Sequence, residues 1–184
     1  DARHPLLEAN LKAQRLPIVP LSVDLDADHR VMVISGPNAG GKTVVLKTVG
    51  LLSLMAQAGL HIPADEGSSL PIYEKVFAVI GDEQSVEKNL STFSSHLKEI
   101  KETLENAGPG SLVLIDEICS GTDPEEGSAL ACGILKELMT RGAVCLATSH
   151  QSGLKTFATA TSGAENARMV FDERAGTPAF RVEI

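Results

Sequence analysis

Two rhythms of apolar and polar positions run along this chain, and the changes between them mark its elements. Residues 17–25 (PIVPLSVDL) alternate apolar and polar, the pattern of a half-buried strand. Residues 30–35 (RVMVIS) form a short apolar run, which predicts a fully buried strand. Residues 43–58 are apolar almost all round (Val44, Val45, Leu46, Val49, Leu51, Leu52, Leu54, Met55). That pattern predicts a helix buried in the body of the domain, with Gly59 ending it. A Gly-, Ser- and Pro-rich loop spans 60–73, and 75–81 (KVFAVIG) reads as a strand. Leu97, Ile100 and Leu104 share one face of a helix predicted over 94–106, and Gly108-Pro109-Gly110 breaks the chain after it. Residues 111–116 (SLVLID) and 143–149 (AVCLATS) are further buried strands. Between them a helix is predicted over 124–140. Asp123 caps it, Pro124 takes its first position, Glu126 stands three residues after the cap, and Gly142 closes it. The tail, about 166–184, reads as two antiparallel strands around Arg174-Ala175-Gly176-Thr177-Pro178.

Alternation of strand and helix implies an α/β fold, with a mostly parallel central sheet flanked by helices and additional antiparallel strands. A length of 184 residues fits one domain spanning 1–184. The chain opens on DARHPLLEANL without an initiator Met, which reads as part of a longer protein. No apolar run approaches the roughly 20 residues that span a bilayer, and no basic-then-apolar leader opens the chain, so no membrane partner is expected.

Charge and composition narrow the partners. The net charge is −8, with no Lys/Arg cluster, and aromatic residues make up only 3 %, leaving few platforms for stacking bases. Nucleic acid, if it matters, is expected to be held elsewhere in the protein. Cys119, Cys132 and Cys145 are far apart and odd in number, so neither a zinc site nor a disulfide framework is expected. They read as small buried side chains in a reducing cytoplasm.

The chemistry is concentrated in four segments. Gly36-Pro37-Asn38-Ala39-Gly40-Gly41-Lys42-Thr43 matches G-x-x-x-x-G-K-[ST] between a strand and a helix. Its glycines let backbone amides approach phosphates, and the helix N-terminus adds positive potential. Lys42 is expected to reach the β- and γ-phosphates, and the Thr43 hydroxyl to ligate Mg²⁺. Val44 completes the expected ATP-binding run. In the second segment, Leu112 to Ile115 deliver Asp116 and Glu117 at a strand's C-terminal end, where parallel sheets bind ligands. Asp116 would hold Mg²⁺ through water, and Glu117 would orient or deprotonate the attacking water. In the third, His150 ends the next strand, as a packed or capping residue or as a contact to the γ-phosphate. The fourth, 89–96 (NLSTFSSH), is a polar helix start whose hydroxyls cap amides, or an anion site for a phosphate from another subunit. Ser120-Gly121-Thr122-Asp123 and Glu83-Gln84 read equally well as a capped turn and a loop.

Taken together, these segments resemble the ATPase domain of the MutS family. GPNAGGKT resembles that family's phosphate loop, and Ser91-Thr92-Phe93 its serine-threonine-phenylalanine signature. Residues 116–122 resemble its acidic strand end, Thr148-Ser149-His150 its histidine motif, and Arg3-His4-Pro5-Leu6-Leu7 its entry into the domain. GDEQSVEKNLSTFSSHL, GLLSLMAQAGLHIPA and GTDPEEG are most similar to the family's second bacterial branch, which is associated with suppressing recombination and with translating ribosomes. The resemblance implies an ABC-type ATPase in which two copies sandwich two ATP molecules. It also implies that Asn38, Lys42 and Thr43 bind phosphate and metal, and that Asp116 supports Mg²⁺. Glu117 then activates water, His150 senses the γ-phosphate, Ser91 acts on the partner's ATP, and Gln84 contacts metal or water. DNA, a ribosome and a linked nuclease domain would belong to parts outside this chain. Two departures stand out: Ser120 where mismatch-repair members commonly carry Arg, and no adenine-stacking aromatic among 16–19. The chain stops at Ile184, before the family's helical clasp, so weak dimerisation and low activity in isolation are expected.

Competing readings are a nucleotide-gated dimerisation module with little turnover, a small-molecule kinase and a transporter ATPase. Glu117 favours hydrolysis over the first. The absence of an acceptor pocket and lid in the sequence disfavours a kinase, and the serine-threonine-phenylalanine signature disfavours a transporter.

Overall fold

A computed structural model describes residues 1–25, 28–81, 89–172 and 177–184; the side chains at 38, 89–92, 171–172 and 177–178 lie outside that description. Among the described residues six strands form one sheet: β1 (Val31–Ser35), β2 (Lys75–Val79), β3 (Ser111–Ile115), β4 (Val144–Ser149), β5 (Ala164–Asp172) and β6 (Thr177–Glu183). Their order is β2-β3-β4-β1-β5-β6. All neighbours are parallel except β5 and β6, which pair antiparallel with an irregularity between Met169 and Phe171. The apolar runs of β1 and β3 are buried at every position, as strands covered on both faces must be.

The helices are α1 (Pro5–Ala13), α2 (Lys42–Gln57), α3 (Asn89–Asn106), α4 (Pro124–Thr140) and α5 (Ser152–Ala160). One sheet face packs a core from Val113, Ile115, Cys145 and Ala147 against Ile100 of α3, Leu135 and Leu138 of α4, and Leu154 of α5. The opposite face packs Met32, Ile34, Leu112, Leu114 and Leu146 against Val45 and Leu46 of α2. Asp123 caps α4 by accepting from the amides of Glu125 (2.9 Å) and Glu126 (3.2 Å), and Pro124 follows it. Gly59 and Gly142 follow α2 and α4 at positive φ, as read from the sequence.

Four expectations change. Residues 17–25 form no strand: only Leu21 bridges, to Ala2. The alternation is nevertheless physical, because Leu21, Val23 and Leu25 turn onto the α2-side core while Ser22 and Asp24 face solvent. The segment lies across a sheet face instead of joining an edge, and Pro17 and Pro20 have no N–H to give a ladder. Second, α2 is not buried all round. Val45, Leu46 and Leu52 are covered, whereas Val44 and Leu54 are 38 % and 50 % exposed. It is the one helix contributing to the core on its face among the described residues. Third, α3 begins at Asn89, so residues 89–93 lie inside the helix and not ahead of it. Fourth, α1 and α5 had no counterpart in the sequence reading. α1 buries no residue, and α5 buries only Leu154 and Ala158, too few to set a period.

The hairpin of β5 and β6 agrees with expectation, although its turn at 173–176 lies outside the described residues. Among the described residues no helix is long and apolar enough to cross a membrane. The three cysteines are free; Cys119 and Cys145 are buried and Cys132 is partly covered.

Removing the α4 cap by Asp123→Ala is expected to cost about 0.5–2 kcal/mol, read as a lower urea midpoint at unchanged slope. Burial pushes the Cys119 thiol up to about 11 and the Cys145 thiol up to about 12, from an ordinary 9.0. Folding therefore favours the neutral thiols. Their contribution is complete below pH 9 and is lost as pH rises through 11 to 12. A thiol reagent at neutral pH should label Cys132 first, and all three only after denaturation.

Candidate active site

Because β1, β3 and β4 are parallel, their C-terminal ends meet at one edge. Register pairs Ser35 with Ser149 and Ile115 with Ala147. The loop after β1, the acidic pair after β3 and His150 after β4 therefore emerge side by side, where open α/β sheets bind ligands.

The loop after β1 contains a single 3-10 turn, Asn38–Gly40, and then α2. Two of its glycines are required. Gly36 has φ +145 and its missing Cβ would sit 2.9 Å from Met169 Cβ; Gly41 has φ +90 and would meet Phe180 Cδ1 at 3.2 Å. The β5–β6 hairpin thus packs directly against the loop through Met169 and Phe180. Lys42 opens α2, is 2 % exposed, and donates from Nζ to the Gly36 carbonyl at 2.7 Å. Burial pulls its pKa down, while the charges of Glu117 and Asp116 act in the opposite direction.

Asp116 ties the site together. Its Oδ2 accepts from Thr43 Oγ1 at 2.5 Å, and its Oδ1 accepts from Thr148 Oγ1 at 2.5 Å. Thr148 in turn accepts from the Glu117 amide at 2.7 Å. The Asp116 amide donates to Val79 O, the Ile118 amide to Thr148 O, and the Ser120 amide to Glu117 O. Glu117 and Cys119 have φ +46 and +52, a left-handed backbone that L-residues avoid.

Of the residues singled out from the sequence, Gly36, Lys42, Thr43, Asp116 and Glu117 converge. Pro37, Ala39 and Gly40 complete the same loop, and Val44 lies in the first turn of α2, 38 % exposed. His150 is exposed at the end of β4. The side chains of Asn38 and Ser91 lie outside the described residues, as does the whole of Glu83 and Gln84. Ser120 is buried, and Gly121 (φ +87) turns the chain toward the Asp123 cap. From the sequence, Thr148 is named only as the first residue of the histidine motif, with no role of its own, and Met169 and Phe180 are not named at all. A polar residue near the end of a buried apolar strand was a signal for Thr148; nothing local marks the other two, which lie far along the chain from the loop they touch.

The residues fit the implied ligands. Backbone amides of the glycine loop, a buried ammonium and a helix N-terminus suit a polyphosphate. Thr43 and Asp116 bring two hard oxygen donors together, which suits Mg²⁺ held mainly by phosphates and water. Among the described residues no group of three or more His, Cys, Asp or Glu could hold a metal alone.

Fold and site define a phosphate-loop α/β domain with an acidic pair beside the loop. The family model for MutS domain V, a nucleotide-binding ATPase domain, matches residues 32–184, and the chain belongs to the MutS family. It is 54 % identical over 185 residues to Endonuclease MutS2 of Thermomicrobium roseum, covering 97 % of this chain and 23 % of that protein. Endonuclease MutS2 of Agathobacter rectalis is 54 % identical over 99 % of the chain and 22 % of its own length. That of Clostridioides difficile is 50 % identical over 100 % of the chain and 22 % of its own length. The chain therefore spans less than a quarter of these relatives, and its similarity is to the family's second branch.

Thr148→Val keeps shape but removes both bonds of the hydroxyl, leaving Asp116 Oδ1 and the Glu117 amide without it. A loss of about 1–3 kcal/mol in denaturant unfolding is expected. A stability change within error would mean that Thr148 does not hold the pair.

Proposed function

We propose that this chain binds ATP with Mg²⁺ on residues 36–44 and hydrolyses it. The observation that carries the reading is the Asp116 carboxylate, held by Thr43 on one side and Thr148 on the other, with Glu117 next in sequence. Loop amides and Lys42 take the β- and γ-phosphates; on binding, the ammonium exchanges the Gly36 carbonyl for phosphate oxygens. Asn38 adds a phosphate contact. Mg²⁺, when bound, neutralises charge on the phosphate oxygens, and Thr43, Asp116 and Gln84 are the residues that would hold it or its water. Glu117 accepts the proton of the attacking water, and His150 reads the γ-phosphate from the end of β4.

We extend this to an ABC-type arrangement in which two copies enclose two nucleotides and Ser91 of each completes the other's site. In the whole protein, opening and closing of that pair would act on DNA, in suppressing recombination, or on stalled ribosomes. The endonuclease name of the relatives supports a DNA partner. The net charge of −8 supports nucleic acid being gripped outside this chain.

Turnover per chain, measured against protein concentration, tests the reading. Rates should climb with concentration if the site is composite. Glu117→Gln should retain ATP while turnover drops about a hundredfold or more. Lys42→Ala should lose ATP affinity, and chelating Mg²⁺ should stop turnover in the unmodified chain. Undiminished hydrolysis in Glu117→Gln would remove Glu117 as the base. Binding with no turnover at any concentration would leave a nucleotide-gated dimerisation module.

A further inference from the structure

The loop carrying Glu117 and the loop carrying His150 touch through a residue to which neither phosphate chemistry nor the sequence pattern gave a role. Gln151 follows His150. Its amide donates to Ser149 Oγ at 3.0 Å, which fixes the backbone on the C-terminal side of His150. Its side chain crosses to the other loop and donates from Nε2 to the Cys119 carbonyl at 3.4 Å. Among the described residues its buried Oε1 has no hydrogen-bond partner. The bond to Cys119 is thus the one this buried side-chain amide makes among them, and its close-packed surroundings confine it.

Those surroundings are unusually close. A Cβ on Gly127, in the first turn of α4, would lie 2.6 Å from the Cys119 carbonyl oxygen, 3.1 Å from Gln151 Nε2 and 3.1 Å from Thr122 Cγ2. A Cβ on Gly153, in the first turn of α5, would lie 2.1 Å from Ser128 Oγ. Glycine at both positions lets the starts of α4 and α5 close on each other with the Cys119 carbonyl and the Gln151 amide between them. The carbonyl that Gln151 engages belongs to a residue at φ +52, two positions after Glu117 at φ +46. A backbone of this kind persists only where its surroundings determine it.

We infer that Gln151 is a positioning residue that latches the Glu117 loop to the His150 loop, so that the two move as one unit when nucleotide binds. This rests on the hydrolysis reading above only for its kinetic consequence. The mechanical claim concerns two loops and one side chain. Gln151 touches no substrate in this scheme: it acts through the backbone of residues 117–120.

Two measurements on this chain test it. Gln151→Met keeps the length and removes the donor; Gln151→Glu places a carboxylate oxygen against the Cys119 carbonyl and serves if the Met variant does not fold. Either should lower kcat about ten- to hundredfold, the scale of a small misplacement remote from the chemistry, with ATP affinity within about twofold. Backbone amide exchange supplies a readout independent of turnover. The Ile118 and Ser120 amides bond to Thr148 O and Glu117 O and not to Gln151. They should nevertheless exchange faster in the variant. Gly127→Ala displaces the same carbonyl from the other side. Combined with Gln151→Met it should be no worse than Gly127→Ala alone, because the added methyl already breaks the Gln151 contact along with crowding Thr122. Unchanged exchange at 118 and 120 overturns the latch, and so does an additive double variant. An equal fall in kcat and ATP affinity overturns it too, since that is general damage. If the unmodified chain binds ATP without turning it over, the hydrolysis reading fails while the exchange experiment still decides the latch.

Discussion

The site depends on one carboxylate having two threonine hydroxyls to accept from. Asp116 leaves β3 at the sheet edge, Thr43 comes from the start of α2, and Thr148 comes from β4. A carboxylate with 8 % exposure is costly unless its oxygens are bonded. Here each oxygen has a hydroxyl from a different element. Since Thr148 also accepts the Glu117 amide, the same interaction sets where the next residue begins. Displacing Asp116 would therefore disturb the start of α2, the end of β4 and the Glu117 backbone together.

The proposed phosphate site lies on an acidic protein. The chain carries −8 overall, which repels an anionic ligand at long range. Attraction must then be local: loop amides, the start of α2 and the ammonium of Lys42. That ammonium is almost fully buried, and its cost is offset by the Gly36 carbonyl and by the nearby charges of Glu117 and Asp116. Desolvation also strengthens each of these interactions relative to water. On the proposed reading, a surface lysine would be a weaker phosphate ligand than Lys42 for that reason.

Much of this was legible in the chain. β1, β3 and β4 announced themselves as buried apolar runs ending in polar chemistry, and α4 by its Asp123-Pro124 start. The phosphate loop and acidic pair followed from local motifs whose context is a strand before and a helix after. What escaped depended on distant parts of the chain or on weak periods. Met169 and Phe180 pack on the loop from the far end of the sequence, and no spacing rule connects them to Gly36 and Gly41. The segment 17–25 obeyed strand alternation because it is extended over a core, and alternation does not distinguish that from a strand in a ladder. α1 has no buried face to produce a period at all.

The backbone at Glu117 and Cys119 shows where local preference gives way. A left-handed L-residue costs about 1–2 kcal/mol relative to the ordinary basins, and the chain holds two of them within three positions. Glycine at either would relieve the strain, but at 117 it would also delete the carboxylate. The positions are instead held from outside by Thr148, through its hydroxyl and its carbonyl, and by Gln151 on the Cys119 carbonyl, with the bond from the Ser120 amide back to Glu117 closing the turn. The strain and the chemistry thus share a cause. The Glu117 carboxylate leaves β3 directly after Asp116, and the bonds to Thr148 hold its backbone in a conformation its own sequence disfavours.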